Sequence, residues 1–201
     1  MIVGLLLAAG GARRFGSQKL VQPVHGTPLV RHSATTLGSA TDALIVVVGH
    51  EADAVRAALS GIDATFVTND VWAEGLGSSL RAGVRALPPT ADAVIVGLGD
   101  QPLGDGEAVR AVILRWRASG KPIVAARYGR VRAHPLLFDR RLFSELEQAA
   151  GDVGARPIID RDAARVELVD ASTPMPPDVD TVADLPRLAA AIDAAGKARY
   201  P

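Results

Sequence analysis

The sequence predicts an α/β fold in which helices cover a mostly parallel, doubly wound sheet. Short apolar runs recur along the chain, and helix-compatible segments lie between most of them, which is typical of alternating strands and helices. The length of 201 residues suits one domain with a substantial buried core. We therefore expect a single domain over residues 1–201, without an internal repeat or a domain linker.

The strands are predicted from apolar runs that are bounded by turn residues. Five of these runs are clear, and two further strands are expected later in the chain. The five runs are residues 2–7, 43–48, 64–67, 93–98 and 122–126, and the later strands are expected within 128–138 and 166–169.

The helices are predicted from the longer segments between these runs. They are expected at residues 28–37, 52–59, 79–86, 107–119, 141–149 and 182–195. Gly38, Gly61 and Gly120 fall where a glycine would end a helix. Residues 171–178 contain three prolines and are expected to form an irregular connection.

Composition excludes several classes of function. The 22 basic and 22 acidic residues cancel, so no overall charge favours binding to nucleic acid or to an anionic membrane. No cysteine is present, which excludes disulfides, thiolate nucleophiles and sulfur-ligated metals. No basic leader is apparent, and no apolar run approaches the ~20 residues that span a bilayer. We therefore expect a soluble, cytoplasmic protein with a small-molecule ligand.

The loop that follows the first strand has the composition of a phosphate-binding loop. Within residues 10–19, three glycines allow close approach of a polyphosphate, and Arg14 and Lys19 supply positive charge. Ser17 follows Gly16 where a Walker A motif needs lysine, and no register fits the dinucleotide-binding fingerprint. The alternative is a glycine-rich turn with two solvated basic side chains.

Two later carboxylates are candidate ligands of Mg²⁺. Asp100 directly follows the strand predicted at 93–98, and Asp180 follows the proline-rich connection. Carboxylates at the carboxyl ends of strands suit Mg²⁺ that bridges phosphates. Asp100 alone is also compatible with a simple turn, and Thr181 or Asp180 with a cap of the last helix. For Asp184 we expect the capping role.

The segment from Asn69 onward combines small, polar and aromatic residues. Gly75 and Gly77 predict a mobile loop, and Ser78 or Ser79 is expected to cap the following helix, whose free amides would suit an anion. Trp72 fits either a ligand site or a surface anchor packed on the domain.

The motifs that carry these candidate residues are spread in order along nearly the whole chain. They are Leu7-Ala8-Ala9-Gly10, Arg14-Phe15-Gly16, Lys19, Asn69, Trp72, Gly75, Ser78-Ser79-Leu80, Gly99-Asp100-Gln101-Pro102, His134-Pro135, Gly151-Asp152, Gly154-Ala155-Arg156, Asp178 and Asp180-Thr181. Their order and spacing resemble the nucleotidyltransferases that make dinucleotide forms of the molybdenum cofactor. Ala12 departs from the family's usual Gly or Ser by a change between small residues. The Leu-Ala-Ala-Gly opening resembles the molybdenum cofactor cytidylyltransferase branch, which favours CTP over GTP.

The resemblance implies a Rossmann-like, three-layer αβα nucleotidyltransferase fold of the nucleotide-diphospho-sugar transferase type. It also implies roles for particular residues. The catalytic residues would be Arg14, Lys19 and Asp100, with Asp100 and Asp180 holding Mg²⁺ as the cofactor. The nucleotide would be bound by Leu7, Ala8, Ala9, Gly10, Gly11, Arg14, Lys19, Asn69, Gly75 and Ser79. The acceptor would be bound by Gln101, His134, Asp152 and Arg156.

The implied reaction is attack by the terminal phosphate of molybdenum-loaded molybdopterin on the α-phosphorus of CTP, with release of pyrophosphate. The partner protein that this reaction suggests is a molybdenum hydroxylase apo-enzyme. Three alternatives stay open. They are an NAD(P)H-dependent oxidoreductase for a heteroaromatic pigment, a nucleotidyltransferase with another phosphate acceptor, and a non-catalytic chaperone that holds the finished cofactor.

Overall fold

The computed structural model describes residues 1–11, 15–102, 106–172, 174–175, 177, 179 and 181–197. The strands are β1 (Ile2–Ala8), β2 (Pro23–Val24), β3 (Thr27–Pro28), β4 (Ala43–Val48), β5 (Thr65–Thr68), β6 (Ala93–Leu98), β7 (Ile123–Tyr128), β8 (Val131–Asp139) and β9 (Val166–Asp170). The α-helices are α1 (Leu29–Ser39), α2 (Ala52–Ala58), α3 (Leu76–Arg85), α4 (Glu107–Ser119), α5 (Phe143–Leu146), α6 (Arg156–Asp160) and α7 (Leu185–Lys197). Short 3₁₀ helices lie at Lys19–Val21, Trp72–Glu74, Arg140–Leu142, Ala163–Arg165 and Val182–Asp184.

Seven strands form one sheet in the order β5-β4-β1-β6-β8-β7-β9. All neighbours are parallel except β8, which is antiparallel to both β6 and β7. The reversal occurs because β7 and β8 are joined by a two-residue hairpin turn, in which Gly129 adopts a φ of 62°. The predicted α/β class with a mostly parallel sheet is therefore confirmed. Strands β2 and β3 form a separate small hairpin.

The core lies on both faces of the sheet. Every residue of β1 is buried, and successive side chains alternate between two apolar clusters. Leu6 belongs to one cluster, and Leu5 and Leu7 to the other. This burial on both faces explains why β1 is a continuous apolar run rather than an alternating one. A third, smaller cluster joins the β2–β3 hairpin to α1 and α7.

Several local expectations were wrong. Helix α3 starts at Leu76, and Gly75 with a φ of 101° precedes it, so no serine side chain caps this helix. Gly38 lies inside α1, whereas Gly120 ends α4 with a φ of 64°, as predicted. The helix expected at 141–149 is reduced to a 3₁₀ turn and the short α5, and α6 was not predicted.

The last helix starts with a capping box. Thr181 and Asp184 exchange hydrogen bonds between their side chains and backbone amides, which confirms the capping role expected for Asp184. None of the helices in the described ranges has the length and apolar character needed to cross a membrane.

Candidate functional site

The loops after three neighbouring strands are tied together at one edge of the sheet. Gly99, after β6, donates its amide to the carbonyl of Leu7 at 2.9 Å. On the other side of β1, His50 donates its amide to the carbonyl of Ala9 at 3.1 Å. Buried Gln18 adds a side-chain amide bond to the carbonyl of His50 at 2.9 Å. The carboxyl end of β1 is therefore fixed from both sides, at the edge where parallel sheets bind ligands.

Lys19 and Asp100 meet within this group of loops. The Lys19 Nζ lies 2.7 Å from Asp100 Oδ2, although the two residues are 81 positions apart. The Lys19 side chain is 12% exposed and that of Asp100 is 33% exposed. The Gln18 side chain helps to place Lys19, because its Oε1 accepts the amide of Leu20 at 3.3 Å at the start of the 3₁₀ turn. A cation and a carboxylate are thus held together where a phosphate and its metal would need them.

This pair opens into a first cavity of about 410 Å³. Most of the residues that the sequence assigned to the nucleotide line it. They are Leu7, Ala8, Ala9, Gly10, Gly11, Lys19, Gly75 and Ser79. Arg14 lies outside the described residues.

Asn69 is not in the wall of this cavity. It is only 3% exposed, and its side-chain amide donates to Ser78 Oγ at 2.8 Å and to Ser79 Oγ at 3.0 Å. Its Oδ1 accepts the amide of Val71 at 3.1 Å. Asn69 therefore fixes the first turn of α3. It contributes to the cavity indirectly, by positioning Ser79, which lines the cavity.

Trp72 forms part of the cavity wall, a role that the sequence left undecided. Its ring packs edge-to-face on His50, with 4.9 Å between centroids. A Cβ on Gly11 would lie 2.7 Å from Trp72 Cζ3, and a Cβ on Gly49 would lie 2.7 Å from Trp72 Cβ. The indole therefore fits only because both positions are glycine. The contacts of Trp72 with Gly11 and Gly49 join residues far apart in the sequence, so the local sequence pattern does not predict them.

A second cavity of about 400 Å³ adjoins the first. The two share four lining residues, namely Leu7, Leu76, Leu98 and Asp152. All four residues assigned to the acceptor line the second cavity: Gln101, His134, Asp152 and Arg156. Its apolar lining includes Val96, Leu136 and Phe138, which lie on β6 and β8.

The second cavity also contains groups that the sequence reasoning missed. Arg132 lines it and forms an ion pair with Asp160 at 2.6 Å. Nearby, Tyr128 donates its hydroxyl to the carbonyl of His134 at 3.2 Å. Burial raises the pKa of Tyr128 to about 12, so this hydroxyl stays protonated near neutral pH. Tyr128 therefore helps to place His134 and is not a base.

The helix α3 is joined to the segment that carries Asp152. The amide of Gly77 donates to the carbonyl of Gly151 at 2.8 Å, and Arg81 donates to the carbonyl of Ala149 at 2.9 Å. A Cβ on Gly77 would lie only 2.5 Å from the backbone nitrogen of Ala150. This close approach holds the walls of both cavities together.

Replacing Gly77 with alanine is expected to push α3 away from residues 149–152. We expect a loss of about 1–3 kcal/mol in the free energy of unfolding, because the new methyl group meets rigid backbone rather than a flexible side chain. Denaturant unfolding measures this loss. Gly38→Ala is the matched control, since Gly38 is also helical and its Cβ would make only ordinary contact at 3.4 Å. Equal stability of the two variants would contradict this reading of the junction.

The donor set suits a metal that arrives with phosphates rather than one held in a protein cage. Asp100 lines the first cavity and offers it carboxylate oxygen, since its side chain is partly exposed. Within the described ranges, no group of three or more His, Cys, Asp or Glu side chains could hold a metal alone. Mg²⁺ commonly binds through one or two carboxylates, substrate phosphates and waters. Asp180, the second expected ligand, lies outside the described residues.

The fold and this double cavity define a nucleotide-using transferase of the α/β class. The chain belongs to the family of the MobA-like NTP transferase domain, whose model matches residues 4–166. The resemblance found in the sequence is therefore confirmed at the level of the family.

Individual relatives cover nearly the whole chain. The nicotine blue oxidoreductase of Paenarthrobacter nicotinovorans is 32% identical and aligns with 93% of this chain and 96% of its own length. Rv0371c of Mycobacterium tuberculosis H37Rv, solved in complex with manganese, is 30% identical over 94% of this chain and 98% of its own, with a TM-score of 0.76. A nucleotidyl transferase of Methanothermobacter thermautotroptrophicus is 26% identical over 96% and 98% of the two chains, with a TM-score of 0.81.

Proposed function

We propose that this nucleotidyltransferase moves CMP from CTP to the terminal phosphate of molybdenum-loaded molybdopterin and releases pyrophosphate. The observation that carries the proposal is the pair of adjoining cavities, one with Lys19 and Asp100 and the other with His134 and Arg156. Asp152 lies in the wall of both. Two substrates bound in them would meet where the cavities join, which is the arrangement that group transfer needs.

Lys19 is the central side chain of the proposed mechanism. Its ammonium would stabilise the charge that builds on the α-phosphoryl group and on the departing pyrophosphate. Asp100, together with Asp180, would hold Mg²⁺, which when bound neutralises charge on the triphosphate. The Lys19 ammonium lies 2.7 Å from Asp100 Oδ2, so the ammonium and the proposed metal ligand are held side by side.

The acceptor needs orientation rather than deprotonation, because a phosphate monoester is already ionised at neutral pH. We therefore assign His134 and Arg156 to acceptor binding. Of the described side chains, no carboxylate forms an ion pair with Arg156, whereas Arg132 is paired with Asp160. Arg156 is thus the better candidate to bind the acceptor phosphate, and the apolar lining would take its ring system.

The choice of CTP rests on the Leu7-Ala8-Ala9-Gly10 opening, which resembles that of cytidylyltransferases. These four residues line the first cavity, which supports a role for them in nucleotide binding. Another phosphate acceptor would use the same donor site, and a non-catalytic chaperone would bind the same compounds without turnover.

A second candidate function is favoured by the match to the nicotine blue oxidoreductase, which extends over 93% of the chain. An oxidoreductase of this kind would need a site for its redox cofactor. The dinucleotide fingerprint is absent from the loop after β1. By its position in the sequence, after β4, Glu51 is a candidate to bind a ribose, but its carboxylate lies 3.8 Å from His50 Nδ1. The site therefore favours nucleotidyl transfer.

The deciding experiment measures pyrophosphate release from each of the four NTPs with Mg²⁺ and molybdenum-loaded molybdopterin. A reaction without phosphate acceptor runs alongside, together with one that follows NAD(P)H oxidation with a heteroaromatic pigment as the electron acceptor. We expect release from CTP that depends on the acceptor. Release from another NTP would overturn the choice of CTP but keep the reaction class. Silence with all four nucleotides, together with NAD(P)H oxidation, would replace the proposal by the oxidoreductase.

A further inference from the structure

Lys19 has a second partner that lies beyond the part of the chain matched by the family model. Its Nζ donates to the carbonyl of Val179 at 2.7 Å, as well as to Asp100. The family match ends at residue 166. An ammonium group has three donors, so these two contacts leave one N–H for a ligand in the first cavity. The carbonyl of Val179 thus helps to decide where that remaining N–H points.

Val179 is held by an apolar cluster rather than by a regular element. Its side chain is fully buried in the third cluster, with Phe15 from the loop after β1 and Leu188 from α7. Val24 and Leu29 complete the buried part of this cluster. Phe15 and Lys19 both lie in the stretch of chain between β1 and β2. The cluster therefore joins this stretch directly to the C-terminal segment, that is, to Val179 and α7.

Helix α7 is in turn fixed to the rest of the fold by polar contacts. The ring of His25, in the β2–β3 hairpin, lies 3.1 Å from the carbonyl of Ala189 and 3.2 Å from the carboxylate of Asp193. The Thr181 and Asp184 capping box fixes the start of the 3₁₀ turn that leads into α7. The position of the Val179 carbonyl therefore depends on the position of α7, whose Leu188 packs in the same cluster as Val179.

We propose that Val179 and Leu188 are positioning residues of the nucleotide site and act through Lys19. The C-terminal segment orients the ammonium group by way of the Val179 carbonyl, and Leu188 keeps Val179 in place. The inference rests on the proposed function in taking a nucleotide phosphate as the ligand of Lys19. It goes beyond that function by giving Val179 and Leu188, which the proposed mechanism does not use, a role in the nucleotide site.

A double-mutant cycle tests this coupling. Leu188→Ala is made in the wild-type chain and in the Lys19→Met variant, and binding of CTP with Mg²⁺ is measured by calorimetry. We expect Leu188→Ala to weaken CTP binding about fivefold in the wild type, the scale of coupling between residues that share one network, and less than about twofold in Lys19→Met. Leu59→Ala is the control, since Leu59 is equally buried at the end of α2 in a different cluster.

An equal loss of binding in both backgrounds would overturn the proposal, because a merely structural effect does not depend on Lys19. A loss of the same size in Leu59→Ala, at a matched fall in melting temperature, would overturn it as well. If Leu188→Ala does not fold, Val179→Ala takes its place in the same cycle.

Amide hydrogen exchange separates this proposal from the proposed function. If the wild-type chain binds no CTP, the nucleotidyl-transfer proposal fails. The amide exchange of residues 15–22 still shows whether the contact between Val179 and Lys19 holds this part of the chain in place. We expect faster exchange there in Leu188→Ala and unchanged exchange in Leu59→Ala. Unchanged protection of residues 15–22 in Leu188→Ala would contradict the proposed coupling.

Discussion

Replacing Lys19 with alanine is expected to lower nucleotidyl-transfer turnover by about 10² to 10³-fold, the usual cost of removing one preorganised electrostatic donor. The expected loss follows from the placement of Lys19, whose side chain is 12% exposed and whose ammonium lies 2.7 Å from both Asp100 Oδ2 and the carbonyl of Val179. Steady-state pyrophosphate release measures the loss, and circular dichroism shows whether the fold is kept. Lys19→Arg is expected to restore little, because the planar guanidinium cannot reproduce both short contacts and still reach a phosphate.

Lys121→Ala is the matched control for charge removal. Lys121 lies at the amino end of β7, away from the site, and its Nζ donates only to the carbonyl of Ala164 among its described contacts. This variant should turn over like the wild type. Near-normal turnover of Lys19→Ala would remove Lys19 from the mechanism.

Replacing Asp100 is expected to have an effect of similar size. Asp100→Ala should lower turnover by about 10² to 10³-fold, because the proposed metal ligand and the partner of Lys19 are lost together. Asp100→Asn separates these two roles, since its amide oxygen can still accept from Lys19 but carries no charge for Mg²⁺. We expect Asp100→Asn to remain slow and to need a higher Mg²⁺ concentration for half-maximal turnover.

The measurement for Asp100 is turnover as a function of Mg²⁺ concentration. Asp63→Asn, which removes an exposed carboxylate after α2, is the control and should leave the Mg²⁺ profile unchanged. If Asp100→Asn has a wild-type Mg²⁺ profile, Asp100 serves only to position Lys19. If Asp100→Ala keeps near-normal turnover, the assignment of the metal site is wrong.

The parts of the fold that depend on local pattern could be predicted from the sequence. The run at β1 is recognisable because both faces of a central parallel strand are buried, and all its residues are apolar or glycine. The meeting of Lys19 and Asp100 also follows from topology, since β1 and β6 are parallel neighbours whose carboxyl ends lie together. The sequence pattern and the sheet order therefore both put the site at the carboxyl ends of β1 and β6.

The parts that failed depend on contacts between distant residues. Trp72 enters the cavity wall only because Gly11 and Gly49 leave room for it. Helix α3 starts at Leu76 after Gly75, which takes a positive φ, whereas the sequence predicted a start capped by Ser78 or Ser79. The contact of Val179 with Lys19 uses a backbone carbonyl, which every residue type carries. No periodicity or spacing predicts such a contact.

The central claim is that the first cavity transfers a nucleotidyl group, and isotope labelling tests it most directly. The chain is incubated with Mg²⁺, molybdenum-loaded molybdopterin and CTP that carries ³²P at either the α or the γ position. Transfer of CMP predicts that the α label enters the acceptor product and that the γ label appears in pyrophosphate. Retention of both labels in CTP, or release of the γ label as orthophosphate, would contradict the account.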